Sequence, residues 1–130
     1  MNQLELDIAR EVPSWNTFLG HSHWLMTNEK RKWYKETSMA IIVAGANGKI
    51  PQSFKENITK RMVTVTAYRK RSIDTDNVCL KPVMDALVTA GVLRDDSRKW
   101  CDLLVKQEKC KKKEPPHTVV IIEEALKERR

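Results

Sequence analysis

At 130 residues the chain is long enough for one domain with a core of its own, expected to cover 1–130, and no second domain is expected. Its 41% hydrophobic and 32% charged residues exclude a disordered polymer, and the longest apolar run, 39–44, is too short to span a bilayer. Twenty-four Lys and Arg against seventeen Asp and Glu leave a formal charge of +7, which favours a polyanionic partner, nucleic acid first, although an ordinary basic surface carries the same sign.

Three cysteines, Cys79, Cys101 and Cys110, are an odd number without C-x-x-C spacing. Neither a disulfide framework nor a zinc site is indicated, and a reducing cytoplasm is the natural compartment. Glu5 and Asp7 stand among the first residues with no apolar h-region, so neither a signal nor a membrane segment is expected.

Leu4, Leu6 and Ile8 alternate with Gln3, Glu5 and Asp7, which predicts a half-buried first strand. The stretch 12–24 mixes Pro13, Ser14, Asn16, Gly20 and Ser22 with Trp15, Phe18 and Trp24, and reads as a loop whose aromatics either pack or stack. A first helix is predicted from about Thr27, capped by Thr27 or Asn28, with Trp33, Thr37, Ala40, Ile41 and Ala44 on one face and Gly45 and Asn47-Gly48 at its end. Its first half carries Lys30, Arg31, Lys32 and Lys35 around Trp33 and Tyr34, either a solvated face over buried aromatics or a surface for phosphates.

A second strand is predicted over 58–68, with Val63, Val65 and Ala67 opposing Met62, Thr64, Thr66 and Tyr68. It feeds through Arg69, Lys70 and Arg71 into an acidic stretch. After Asn77, a cap by residue type, Cys79, Val83, Leu87 and Ala90 form the apolar stripe of a second helix closed by Gly91. Pro82 requires that the regular helix begin near Lys81 or that its first turn be distorted. Asp95-Asp96-Ser97 reads as a polar turn. Cys101, Leu103 and Val105 then alternate with Trp100, Asp102, Leu104 and Lys106, and a lysine-rich connection leads through Pro115-Pro116 to an apolar run over 117–122; these two strands are expected to form a long hairpin. His21 and His23 are expected to be structural, Cys79 and Cys101 buried, and Cys110 an exposed thiol. The tail 123–130 reads as a short helix or a frayed end. Together these elements make an α+β domain, a mixed sheet of about four strands with two main helices in the order β-α-β-α-β-β.

The acidic stretch is the chemical anomaly of this basic chain. Asp74, Asp76, Asp85, Asp95 and Asp96 fall within it, and an extended backbone before Asn77 turns Asp74 and Asp76 to one side. Two carboxylates in a cleft call for a cation or a shared proton. A divalent ion on two or three carboxylates neutralises a phosphodiester and lowers the pKa of bound water, and a nearby lysine such as Lys81 stabilises developing charge. D-x-D followed by lysine is nevertheless common, and ordinary structural roles account for the same residues: a strand-end turn at Asp74, a helix cap at Asp76 or Asn77, and a second turn at Asp95-Asp96.

The string IDTDNVCLKPVMDALVTAGVLRDDS closely resembles the signature of the RusA-type Holliday-junction resolvases, small crossover-junction endodeoxyribonucleases often encoded by phages and prophages. The elements, in order, are a D-x-D-N turn, a lysine on the following helix, D-A-L, a glycine ending that helix and a D-D-S turn. The similarity is strong over 74–97 and weaker over 12–33, where PSWNTFLGHSHW is similar to the family's Pro-Ser-x-Asn segment and His-Trp pair. The resemblance implies a RusA-like fold, Asp74, Asp76 and Asp96 as Mg²⁺ ligands (Mn²⁺ substituting), Lys81 as catalytic lysine, and Asn77, Asp85 and Asp95 in support. Some members place the lysine one residue closer to the turn, where this chain has Leu80. It further implies a homodimer in a bacterial or phage-infected cytoplasm that resolves four-way junctions by paired symmetric nicks in DNA recombination and repair. Lys30, Arg31, Lys32, Lys35, Arg69, Lys70 and Arg71 are candidate DNA contacts, with 106–113 a further basic segment. Two alternatives stand beside this expectation: a non-enzymatic protein that binds branched DNA, and a metal nuclease acting on flaps or other branched DNA.

Overall fold

Alternation with a period of two decides where the sheet faces its core. A computed structural model describes residues 3–21, 23–55 and 59–124. In it, strand β1 spans Gln3–Ile8 and buries Leu4, Leu6 and Ile8 while its intervening residues face solvent. Strand β2, Arg61–Arg69, buries Val63, Val65 and Ala67 in the same rhythm, and β4, His117–Glu124, buries Thr118, Val120 and Ile122. Helices α1, His23–Ala46, and α2, Lys81–Thr89, cover this face with Trp33, Thr37 and Ala44 and with Val83, Met84, Ala86 and Leu87. The fold is α+β, two helices on a four-stranded mixed sheet in the order β-α-β-α-β-β, as the patterning predicts. Among the described residues no helix is long and apolar enough to cross a membrane.

The expected hairpin between the last two strands does not form. The sheet order is β1-β4-β2-β3, where β3 is Cys101–Lys109. β4 lies between β1 and β2, antiparallel to both, and β3 runs parallel to β2 on the far side. Burial explains the choice: β4 has a continuous apolar face and takes an interior position, whereas in β3 only Cys101 is buried and Leu103 and Leu104 stay exposed, contrary to the expected inward alternation. α2 supplies the crossover that a parallel pair needs. The connection 110–116 then steps across the end of β2, about 10 Å or two strand spacings, which a tight hairpin turn cannot reach. Charged Asp102, Lys106, Glu108 and Lys109 along β3 discourage further pairing at that edge.

α1 begins at His23, four residues ahead of the expected start, and neither Thr27 nor Asn28 caps it. The Thr27 hydroxyl instead donates to the His23 carbonyl one turn back (3.3 Å). Both helices end on a left-handed glycine. At Gly48 (φ 65°) the Lys49 N–H reaches the Ala44 carbonyl at 2.8 Å, and at Gly91 (φ 87°) the Val92 N–H reaches that of Leu87 at 3.1 Å, the six-to-one bond of a Schellman cap. β2 starts at Arg61, and Ile58, the expected first residue of that strand, lies outside the described residues. Glu123 and Glu124 belong to β4; the remainder of the expected terminal helix, 125–130, also lies outside them.

Candidate metal and nucleic-acid site

The acidic stretch leaves β2 and is clamped at once. The Gln107 side chain of β3 bonds both backbone groups of Ile73, accepting from its N–H at 3.0 Å and donating to its carbonyl at 2.7 Å. A single 3₁₀ turn follows at Thr75–Asn77, with Asp74 in the capping position but making no capping bond. Asp74 and Asp76 are exposed, and among the described residues neither carboxylate makes a hydrogen bond or an ion pair. The expected turn does form at Asp74, whose carbonyl accepts the Asn77 N–H at 2.9 Å, but neither carboxylate caps it.

Asn77 caps no α-helix. Its Oδ1 accepts the Asn16 N–H at 3.3 Å, Ser14 bridges to Val78, and the Cys79 N–H donates to the Pro13 carbonyl at 2.9 Å. The D-x-D-N turn and the P-S-x-N segment are thus one hydrogen-bonded unit. Trp15, within that unit, and Trp24, at the start of α1, are 41% and 65% exposed, so these aromatics do not serve the core, whereas Trp33 is fully buried. His21 and His23 are exposed. Leu80 occupies the N-cap of α2 and Lys81 is its exposed first residue. Pro82 sits at the second position, where its missing N–H removes no intrahelical bond, so the helix is regular from Lys81.

Asp85 and the second acidic turn lie further along. Asp85 pairs with Lys30 of α1 at 2.8 Å, and both line a shallow cleft of about 220 Å³ with Tyr34, Thr89, Asp95 and Asp96. Asp95 does serve its turn: hydrogen bonds from the Ser97 hydroxyl and from the Asp96 and Ser97 N–H groups hold its carboxyl below the usual range. Asp74 and Asp76 precede α2 and Asp96 follows it, at opposite ends of a helix about 13 Å long. The three do not gather; among the described residues no trio of Asp carboxylates comes within 4.8 Å.

Among the described residues the basic side chains divide into exposed and engaged. Arg31, Lys32, Lys35 and Arg71 are exposed. Arg69 is a tether: its guanidinium donates to the carbonyls of Val12 and Arg71 and pairs with Glu11 at 3.3 Å, so phosphate contact by this residue would break the loop it holds. The Lys70 ammonium donates to the Glu114 carbonyl at 2.6 Å.

All three cysteines are buried, Cys110 included, which corrects the exposed thiol expected in its lysine-rich loop. Burial, reinforced by Asp102 and Asp96, raises Cys101 to about 11 and keeps it a thiol at neutral pH. Burial also raises Cys79, against the opposing Lys81 N–H and charge. Cys110, Glu114 and His117 form a group that can hold a metal ion, with one ligand atom of each inside 4.8 Å of the others. Counting cysteines alone misses it; the signal is C-x₃-E-x₂-H across a short interstrand connection. Neither the family models scanned with this chain nor the curated proteins searched with it yield a match.

Proposed function

We propose that this chain is a Mg²⁺-dependent endonuclease of the RusA type that resolves four-way DNA junctions by paired nicks. The observation that carries the reading is that Asp74 and Asp76, acidic residues in a chain of net charge +7, stand exposed on a braced turn without any structural partner among the described residues. The donor set suits the ion: carboxylate oxygens are hard ligands, and Mg²⁺ keeps several waters, so two carboxylates suffice. Bound there, the ion would neutralise phosphate charge and lower the pKa of an attacking water.

The chain's own groups supply the rest. Lys81 opens α2 five residues after Asp76 and offers a positive charge for the scissile phosphate. The Gln107 clamp and the Asn16–Asn77 bond hold the turn rigid, so orientation is set before substrate arrives. Trp15, exposed on the same unit, presents a ring for bases unstacked at a branch point. Asp96 lies beyond the other end of α2 and is not part of this ligand pair, and a homodimer would suit a two-fold symmetric substrate.

Cleavage of a synthetic four-way junction in Mg²⁺ or Mn²⁺ tests the reading, with duplex and flap substrates alongside. Paired nicks in the junction are expected, and Asp76→Asn is expected to abolish cutting while junction binding persists. Binding without cutting in any metal would instead favour a non-enzymatic branched-DNA-binding protein, and preferential cutting of flaps would move the substrate class.

A further inference from the structure

The connection between β3 and β4 carries a second donor set of different chemistry. Cys110 directly follows β3, Glu114 closes a turn through its N–H to the Lys111 carbonyl at 3.0 Å, and His117 opens β4. Each is held by its own backbone. The Cys110 N–H extends the sheet ladder to the Arg69 carbonyl at 2.9 Å, the Glu114 carbonyl accepts from Lys70, and His117 pairs with Tyr68, whose ring stacks on the imidazole with centroids 4.5 Å apart and planes 4° from parallel. Nδ1 of His117 lies 3.9 Å from Oε1 of Glu114 and 3.1 Å from the Pro115 carbonyl, which is also 3.8 Å from Sγ of Cys110. The ligand atoms all lie within 4.8 Å of one another, and the imidazole–carboxylate pair, at 3.9 Å, is close to the separation of about 3.5 Å between neighbouring ligands of a tetrahedral site.

We infer that Cys110, Glu114 and His117 bind one borderline-soft divalent ion, Zn²⁺ by class, which clamps the β3–β4 connection from the end of β3 to the start of β4. Thiolate, imidazole and carboxylate select Zn²⁺ or Co²⁺ over Mg²⁺, which takes oxygen ligands and keeps its waters. Thiolate and carboxylate together neutralise the ion's charge. Three protein ligands leave one tetrahedral position for water. The loop is already shaped by its backbone bonds, so little ordering remains for the ion to impose. Uptake requires a deprotonated thiol and a neutral imidazole, so affinity falls as pH falls.

The test is a Co²⁺ titration of the reduced full chain. A thiolate-to-cobalt charge-transfer band saturating at one equivalent is expected, reversed by Zn²⁺ and untouched by excess Mg²⁺, and Zn²⁺ should raise the thermal midpoint. Cys110→Ser should remove the band. Because Cys110 is buried, the half-buried positions provide independent variants: Glu114→Gln and His117→Asn should each weaken binding by more than the about 10–100-fold typical of losing an outer-shell partner. Absence of the band, or a one-equivalent band of unchanged affinity in both of these variants, would overturn the inference. Neither result touches the junction-cutting reading, which is read in Mg²⁺.

Discussion

Arg61 shows what a single residue can conceal in a sequence. It opens β2 as one more basic residue of a basic chain, yet it is 1% exposed. Its guanidinium donates to the Val92 carbonyl at 2.6 Å and to the Ser53 carbonyl at 3.3 Å, and lies 4.1 Å over the Phe54 ring. Burial lowers its pKa and Glu124 opposes that shift. Arg61 therefore ties the turn after α2 and the segment before β2 to the start of the central strand. Arg61→Met keeps much of the apolar stem but strips one buried and one partly buried carbonyl of a charged donor, which should cost about 2–4 kcal/mol. A lowered urea midpoint at unchanged slope is the expected reading, and an unchanged midpoint would mean that those carbonyls find other donors. Asp74 and Asp76 are the opposite case: their residue types pointed to chemistry, and their lack of structural partners among the described residues keeps that chemistry open.

At the scale of elements, α2 was legible because propensity and burial agree. Val83 and Leu87 of the expected stripe are buried on it, while Cys79 lies buried ahead of the helix and Ala90 is its half-buried C-cap, and Gly91 ends it where the pattern stops. No atom stands within 4 Å of a Cβ added at Gly91, so the cost of a substitution there is that of backbone conformation alone. Gly91→Ala should destabilise by about 1–2 kcal/mol through its left-handed φ, and Gly91→Asn by less, as thermal unfolding of the two variants would measure. α1 starts four residues before Thr27, which has the residue type of a cap, because nothing in the His23–Met26 stretch opposes a helix. Strand pairing was illegible in a different way. β3 and β4 both read as strands, but which neighbour each takes depends on competition for the buried interior positions, which no local pattern records.

For the whole molecule, the positive charge matters through its placement. Arg31, Lys32 and Lys35 project from α1, and Arg71 stands beside the acidic turn, while Arg69 and Lys30 are tied to Glu11 and Asp85. Junction binding should weaken with salt at a slope of about −0.9 per phosphate contacted in log–log form. Replacing Arg31, Lys32 and Lys35 together by Ala should reduce that slope by about 2–3 without loss of thermal stability, in a fluorescence anisotropy titration across salt concentrations. An unchanged slope would move the interface away from α1.

The sequence by itself determined the element types, the inward faces of β1 and β2, the end of α2 and the acidic pair, because each follows from side-chain period or residue chemistry along a few consecutive positions. Only the tertiary structure decided that β4 sits between β1 and β2, that Asp96 lies apart from Asp74 and Asp76, and that Cys110, Glu114 and His117 converge. Those three outcomes depend on distances between segments, set when apolar faces compete for one shared core.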